Sequence, residues 1–161
     1  RAMICNPSFV VCDEPVSALD ASIRAQVLNL MRRLQTETQV SYLFISHDLS
    51  VVRFLCSRVI VMYLGRIVET GSREELYAHP VHPYTQALLS AIPIPEVGRD
   101  RKRIVLEGEL PDPLHPPEGC RFAPRCPYAQ ARCRREAPLL REGAPGHAAA
   151  CHLAFESTGR R

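Results

Sequence analysis

The stretch Phe9-Val10-Val11-Cys12-Asp13-Glu14-Pro15 decides the fold class of this 161-residue chain. Its first four residues are apolar without alternation, and they are followed at once by two carboxylates and a proline. Continuous apolarity is typical of a strand buried on both faces, as in a parallel sheet. We therefore predict an α/β fold with a parallel sheet and flanking helices, and a polar cluster at the carboxyl end of this strand.

A helix and a second strand follow at short range. Ser17 and Asp20 form an S-x-x-D helix start, and apolar residues at helical spacing predict an amphipathic helix over 21–36. A second apolar, β-rich run over 40–45 ends at Ser46-His47-Asp48. Strand, helix and strand in this order predict a βαβ unit with a right-handed crossover.

Both predicted strands end in side chains that can do chemistry. Asp13 and Glu14 follow the first strand, and His47 follows the second. Ligands of an open parallel sheet bind beyond the carboxyl ends of its strands, so we expect these three side chains around one site. Polar residues at strand ends are also common in ordinary loops, so this pattern alone does not assign an activity.

Further elements are predicted downstream. A helix over 49–56 precedes an antiparallel hairpin that turns at Leu64-Gly65. Ser72 and Glu75 form a capping box for a short helix, and a last helix over 83–91 has a proline in its first turn.

Composition excludes several classes of protein. Hydrophobic residues make up 46% and charged residues 23%, which is too apolar for a disordered chain. No apolar run approaches the roughly 20 residues that span a bilayer, and no secretory signal pattern is visible.

The chain has two compositional regimes. Twelve of the 14 prolines lie from Pro80 onward, and the net charge changes from −1 over 1–98 to +4 over 99–161. We place a linker at 93–98 and predict two parts, 1–95 and a Pro/Cys-rich extension over 96–161. The basic extension carries no recognition helix or stacking motif, so no nucleic-acid partner is predicted.

Three motifs together carry a family resemblance. The stretches 9–15, 17–20 and 46–48 resemble, in order and at similar spacing, the Walker B strand, the D-loop and the H-loop of ABC-type ATPases. The resemblance implies that residues 1–95 are the C-terminal portion of a P-loop ABC-type ATPase domain.

The resemblance also implies roles for individual residues. Asp13 would hold Mg²⁺, Glu14 would activate the attacking water as general base, and His47 would contact the γ-phosphate of ATP. Ser17 and Asp20 would belong to the nucleotide site, with Asp20 against a second ATPase subunit. Each assignment suits the chemistry of its side chain.

Other ABC motifs are absent from the 161 residues. There is no G-x-x-x-x-G-K-S/T loop, no Q-loop and no Leu-Ser-Gly-Gly-Gln signature. We therefore expect a C-terminal fragment of a longer protein, which by itself does not hydrolyse ATP because nothing cradles the triphosphate.

Further stretches of the sequence resemble a smaller group within the ABC-type ATPases. The stretches 48–53, 61–69, 82–89 and 106–129 resemble ATP-binding subunits of bacterial oligopeptide, dipeptide and nickel importers. The implied partners are a second ATPase subunit, two transmembrane permease subunits and, indirectly, an extracytoplasmic peptide-binding protein. The implied location is the cytoplasmic face of the inner membrane, as a peripheral subunit.

A second group of candidate site residues consists of four cysteines, Cys120, Cys126, Cys133 and Cys151. Disulfides do not suit the reducing cytosol in which such an ATPase works. Structural zinc sites usually show a C-x(2–4)-C knuckle, which is missing, whereas an iron–sulfur cluster takes four thiolates at irregular spacing. The resemblance implies a 4Fe–4S cluster, and zinc or no metal are the alternatives.

Three other functions are alternatives. Nickel uptake uses the same ATPase design, so the sequence does not separate it from peptide uptake. An ABC ATPase that acts on DNA would show zinc knuckles, and a stand-alone metal-binding interaction module requires this piece to be the natural product. The leading prediction is the ATP-hydrolysing motor subunit of a peptide importer.

Overall fold

A computed structural model describes residues 2–92 and 103–155 of the chain. The linker predicted over 93–98 and the predicted boundary at residue 95 lie outside these residues. The chain divides into two compact units, Arg1–Ser57 and Arg58–Arg161. This division falls at a different place in the sequence from the predicted boundary.

The first unit contains a strand, a helix, a strand and a helix. These are β1 (Phe9–Asp13), α1 (Ala21–Thr38), β2 (Ser41–Ile45) and α2 (Leu49–Leu55), preceded by a short 3-10 helix at Ala2–Cys5. β1 and β2 pair in parallel from Phe9 opposite Ser41 to Asp13 opposite Ile45. The strand–helix–strand unit predicted from the sequence is present, and both strands end at the same edge.

The prediction that these strands are buried on both faces is wrong for the described residues. Burial alternates along β1 and β2, and Phe9, Val11, Leu43 and Ile45 are each about half exposed. The described sheet of this unit has two strands, and only one of its faces packs against the unit's own helices. The continuous apolar runs therefore predicted the positions of the two strands correctly, but they did not predict how far the strands are buried.

Helix α1 begins one residue after Asp20, and that carboxylate caps it. Asp20 Oδ1 accepts hydrogen bonds from the backbone N–H groups of Ser22 and Ile23, each at 3.0 Å. Ser17, the other residue of the predicted S-x-x-D start, donates its hydroxyl to the carbonyl of Glu14 at 3.0 Å. The core beneath α1 is formed by the buried residues Val16, Leu28, Val51 and Leu55.

The second unit is built on a four-stranded antiparallel sheet. Its elements are β3 (Arg58–Tyr63), β4 (Arg66–Ser72), α3 (Arg73–Ala78), α4 (Pro83–Ser90), α5 (Ala131–Arg135), β5 (Arg141–Ala144) and β6 (His147–Ala149). The strand order is β3-β4-β6-β5. Leu64 and Gly65 both have positive φ (45° and 73°), as the type I′ turn of a two-residue hairpin requires.

The cysteine-bearing extension contributes to this sheet and to its core. β6 pairs antiparallel with β4, with Glu69 opposite Ala149. Phe122 is buried and packs edge-on against Tyr63 at 5.2 Å between ring centroids, and it also contacts Tyr84. The extension is therefore an integral part of the second unit.

Within the described ranges, no helix has both the length and the apolarity needed to cross a membrane.

Candidate functional site

Glu14 and His47 meet beyond the carboxyl ends of β1 and β2. His47 Nδ1 lies 2.7 Å from Glu14 Oε1, a distance at which Nδ1–H donates to the carboxylate. Glu14 follows the last residue of β1, and His47 lies two residues beyond the end of β2. The parallel pairing of the strands therefore brings together two of the residues that the sequence predicted for one site.

The backbone of Glu14 is held in an unusual conformation. Its φ of 43° lies in the left-handed region, which typically costs a non-glycine residue roughly 1–3 kcal/mol. Its N–H donates to the Ile45 carbonyl at 2.9 Å, and its own carbonyl accepts from both the N–H and the hydroxyl of Ser17. These bonds turn the chain sharply after β1 and direct the Glu14 carboxylate toward His47.

The contact changes the ionisation of His47. The hydrogen bond to Glu14 raises the pKa of His47, and the negative charge of Glu14 raises it further. Both groups are solvent-exposed. The pair favours an imidazolium, in which Nε2–H becomes a second donor that can reach an anionic oxygen.

The other predicted residues occupy distinct positions around this pair. Asp13 is exposed and immediately precedes Glu14, at the strand end opposite Ile45. Ser17 supports the Glu14 carbonyl, whereas the Asp20 carboxylate is engaged in capping α1. Hydrogen bonding to the Ile23 N–H and to the side chain of Ser22 lowers the pKa of Asp20, so that carboxylate is ionised.

Arg24 and Asp48 also belong to this region, and their roles were not predicted. Arg24 Nη1 lies 3.1 Å from Asp48 Oδ2, and Asp48 Oδ1 caps α2 through the N–H groups of Ser50 and Val51. The Asp-Leu-Ser order before an apolar run is a helix-start signal that could have identified the cap. Nothing in the sequence pairs residue 24 with residue 48.

The four cysteines of the extension lie in the second unit, and none of them is in a disulfide. The N–H of Cys120 donates to the carbonyl of Cys133 at 2.8 Å, which joins two of the segments that carry them. Gly119 makes this approach possible, because a Cβ at that position would lie 2.4 Å from the Cys133 carbonyl oxygen. Cys133 is buried, and the other three are partly buried.

The pKa values of two of these cysteines, Cys120 and Cys126, are affected by the others. Burial raises the pKa of Cys120, and the nearby Cys151 and Cys133 thiols raise it further. Burial likewise raises the pKa of Cys126, with added contributions from the other three. Over 2–92 and 103–155, however, no three His, Cys, Asp or Glu side chains are arranged as a metal site. The cysteines are thus neighbours without a formed ligand set.

Comparisons with known proteins identify relatives of the chain. Residues 68–133 match a family model described as the C-terminal region of oligopeptide/dipeptide transporters. The oligopeptide transport ATP-binding protein AppF of Bacillus subtilis is 56% identical over 155 residues, which cover 95% of this chain and 47% of AppF. The chain is a homologue of the peptide-transport ATP-binding proteins. The resemblance seen in the sequence is thereby confirmed.

Other peptide-transport ATP-binding proteins match to the same extent. A putative peptide import ATP-binding protein of Brucella ovis is 56% identical over 151 residues, which cover 94% of this chain and 48% of that protein. A probable peptide ABC transporter ATP-binding protein of Sinorhizobium fredii is 54% identical over 153 residues, 95% of this chain and 43% of that protein. The chain spans about half the length of these relatives.

The segment that matches the transporter C-terminal region also contains a buried carboxylate that sequence reasoning missed. Glu69 is fully buried and accepts hydrogen bonds from the N–H groups of Val81 and His82 and from Nε2 of His147 at 2.8 Å. His147 is also buried. Its separation of 78 residues from Glu69 leaves no local signal of the pair.

Proposed function

We propose that this chain contributes the water-activating and phosphate-sensing residues of an ATP-hydrolysing subunit that energises peptide uptake. The observation that carries the proposal is the Glu14–His47 contact of 2.7 Å at the carboxyl ends of two parallel strands. That edge is where open parallel sheets bind their ligands. The names of the relatives, which are ATP-binding proteins of oligopeptide and peptide transport, support ATP as that ligand.

Each side chain has a role in this proposal. Glu14 accepts a proton from the attacking water, and His47 donates Nε2–H to a γ-phosphate oxygen. Ser17 holds the backbone of Glu14, which keeps the carboxylate beside His47. Asp20 lies at the start of α1, where its segment would meet a second ATPase subunit.

Asp13 is the proposed Mg²⁺ ligand. Mg²⁺ is commonly bound through one or two carboxylates together with substrate phosphates and waters, so a single exposed carboxylate at the end of β1 suits it. When bound, the ion neutralises charge on the β- and γ-phosphates.

The proposal extends to the assembly. The whole protein would have the parallel sheet and flanking helices of a P-loop ABC-type ATPase domain, with residues 96–161 as an importer-type extension. It would pair with a second ATPase subunit beneath two permease subunits, as a peripheral protein on the cytoplasmic face of the inner membrane. An extracytoplasmic binding protein would deliver the oligopeptides or dipeptides.

Because the chain spans about half of its relatives, we would test the activity in a chimaera. The part of AppF that precedes the matching segment is joined to residues 1–161. We expect the chimaera to hydrolyse Mg-ATP, and Glu14→Gln to reduce turnover by about 10²–10⁴-fold, as loss of a general base does.

Glu37→Gln is the matched control for this test, because Glu37 is an exposed glutamate on α1 that pairs only loosely with Arg33 at 3.7 Å. We expect it to leave turnover unchanged. Full turnover in the Glu14→Gln chimaera would show that Glu14 is not the base. Stimulation by nickel-uptake permeases instead of peptide permeases would favour the second candidate, an ATPase for nickel import.

We further propose that Cys120, Cys126, Cys133 and Cys151 hold a 4Fe–4S cluster. Four thiols outside any disulfide, two of which (Cys120 and Cys126) have pKa values that other members of the set help to raise, are a donor set suited to such a cluster. Zinc would suit the same thiolates.

A further inference from the structure

Arg24 lies between two segments of the proposed active site. Its Nη2 donates to the carbonyl of Leu19 at 3.0 Å, and its Nη1 donates to Asp48 Oδ2 at 3.1 Å. Leu19 belongs to the 17–20 segment that follows Glu14, and Asp48 is adjacent to His47. A planar guanidinium presents its N–H groups in a fixed fork, so one side chain can hold both acceptors in a defined geometry.

The contacts of Arg24 close a ring of hydrogen bonds around Glu14 and His47. Ser17 donates twice to the Glu14 carbonyl, which anchors one side of the 17–20 segment. Arg24 joins the other side of that segment to Asp48. His47, which is next to Asp48 in the sequence, completes the ring through its 2.7 Å contact with Glu14.

The surroundings of Arg24 make this link specific. Arg24 and Asp48 are each about one-third exposed, so their attraction is less screened than that of a surface pair. Asp48 uses its second oxygen to cap α2, which fixes the carboxylate that Arg24 holds. A displacement of the 17–20 segment is therefore transmitted through Arg24 and Asp48 to the start of α2 and to the loop that carries His47.

We propose that Arg24 is a positioning residue that ties the 17–20 segment to the His47 loop and thereby maintains the Glu14–His47 geometry. The inference deepens the proposed function, on which it rests for the roles of Glu14 and His47. It makes Arg24 a residue that acts through others, without touching the nucleotide.

The test uses NMR titration of His47 in the 161-residue chain, with no nucleotide added. In Arg24→Met, loss of the tie weakens the Glu14–His47 contact, so the pKa of His47 falls. Loss of the Arg24 charge alone would have the opposite effect, because that charge lowers the pKa of His47 while Glu14 and Asp48 raise it. A higher or unchanged pKa of His47 in Arg24→Met would overturn the proposal.

Hydrogen exchange supplies a second readout. We expect the Leu19 and Val51 amides to exchange about tenfold faster in Arg24→Met, since one charge-assisted hydrogen bond is lost on each side of the guanidinium. Acceleration confined to one of the two amides would contradict a tie between the segments. Arg33→Met is the matched control, because Arg33 is exposed on the same helix, and it should change neither readout.

Arg24→Lys covers the case in which Arg24→Met does not fold. Lysine keeps the positive charge but lacks the forked guanidinium N–H groups. A fall in the pKa of His47 in this variant is therefore due to the changed Glu14–His47 geometry and not to loss of charge. An unchanged pKa in this variant would overturn the proposal. Neither readout requires ATP. The chimaera assay can therefore contradict the proposed function while these readouts support the role of Arg24, and these readouts can contradict the role of Arg24 while the chimaera assay supports the proposed function.

Discussion

At the scale of single residues, the Glu14–His47 pair is the most informative feature of the molecule. Two exposed side chains from loops 33 residues apart meet at 2.7 Å. The hydrogen bond and the charge of Glu14 raise the pKa of His47, which favours the imidazolium that donates from both ring nitrogens. The pair also makes the site sensitive to pH, and this sensitivity can be measured without substrate.

We predict that Glu14→Gln lowers the pKa of His47, because the hydrogen bond and charge that raise it are removed. The folded-state pKa is raised, so the stability from the pair is fully present below the unfolded-state value and is lost as pH rises through the folded-state value. Urea unfolding should therefore separate wild type from Glu14→Gln at pH 5 more than at pH 9. A constant difference across that range would contradict the ion pair, and Glu37→Gln is the control.

At the scale of elements, two buried polar side chains of the second unit, His82 and Thr85, lie at the start of α4. His82 is buried, its Nδ1 accepts from the Tyr84 N–H at 3.1 Å, and its own N–H donates to Glu69. Burial lowers the pKa of His82 to about 4. The imidazole is therefore neutral in the folded protein at neutral pH.

We predict that His82 makes the chain acid-sensitive. Between its ordinary pKa of 6.5 and the folded-state value of about 4, the unfolded chain binds a proton that the folded chain does not. Stability should fall over this range as pH decreases, by up to roughly 3 kcal/mol.

His82→Asn is the variant for this prediction, because asparagine can still cap α4 but does not titrate. Urea unfolding at several pH values should show a shallower loss of stability between pH 6.5 and 4 in this variant. His79→Gln, at an exposed histidine near the end of α3, should retain the wild-type slope. An equal slope in all three proteins would show that His82 is not the sensitive group.

Local signals made the elements predictable from the sequence. The capping box of Ser72 and Glu75, the Leu64-Gly65 turn and the proline at the start of α4 all act within a few residues, and each has the predicted place in the fold. The meeting of Glu14 and His47 was also predictable, because parallel strands end at one edge.

Other features depend on distant partners. The Arg24–Asp48 and Glu69–His147 contacts join residues 24 and 78 positions apart, and no periodicity encodes such pairs. The prediction that β1 and β2 are buried on both faces was wrong. An apolar run shows that a strand can be buried, but it does not show whether another element covers each of its faces. In the S-x-x-D pair Asp20 caps α1, whereas Ser17 bonds to the Glu14 carbonyl, and the motif alone does not distinguish these two roles.

At the scale of the whole molecule, the four cysteines give the extension a testable chemistry. Anaerobically purified chain should be brown, with absorbance near 400 nm and about four irons per chain, as expected for a thiolate-held 4Fe–4S cluster. Cys126→Ser should remove the absorbance, whereas Cys5→Ser, at an exposed cysteine in the first unit, should retain it. One zinc and no iron per chain would contradict the cluster and favour the zinc alternative.

The pairing of β4 with β6 sets the order in which the second unit can be completed during synthesis. Glu69 leaves the ribosome 78 residues before His147, a delay of roughly 4–16 s at ordinary elongation rates. During that interval one edge of β4 has no strand beside it, and the nascent hairpin exposes its free backbone groups. A ribosome that stalls or terminates before the codon for His147 would release a product with an open sheet edge, which is a substrate for chaperones and proteases.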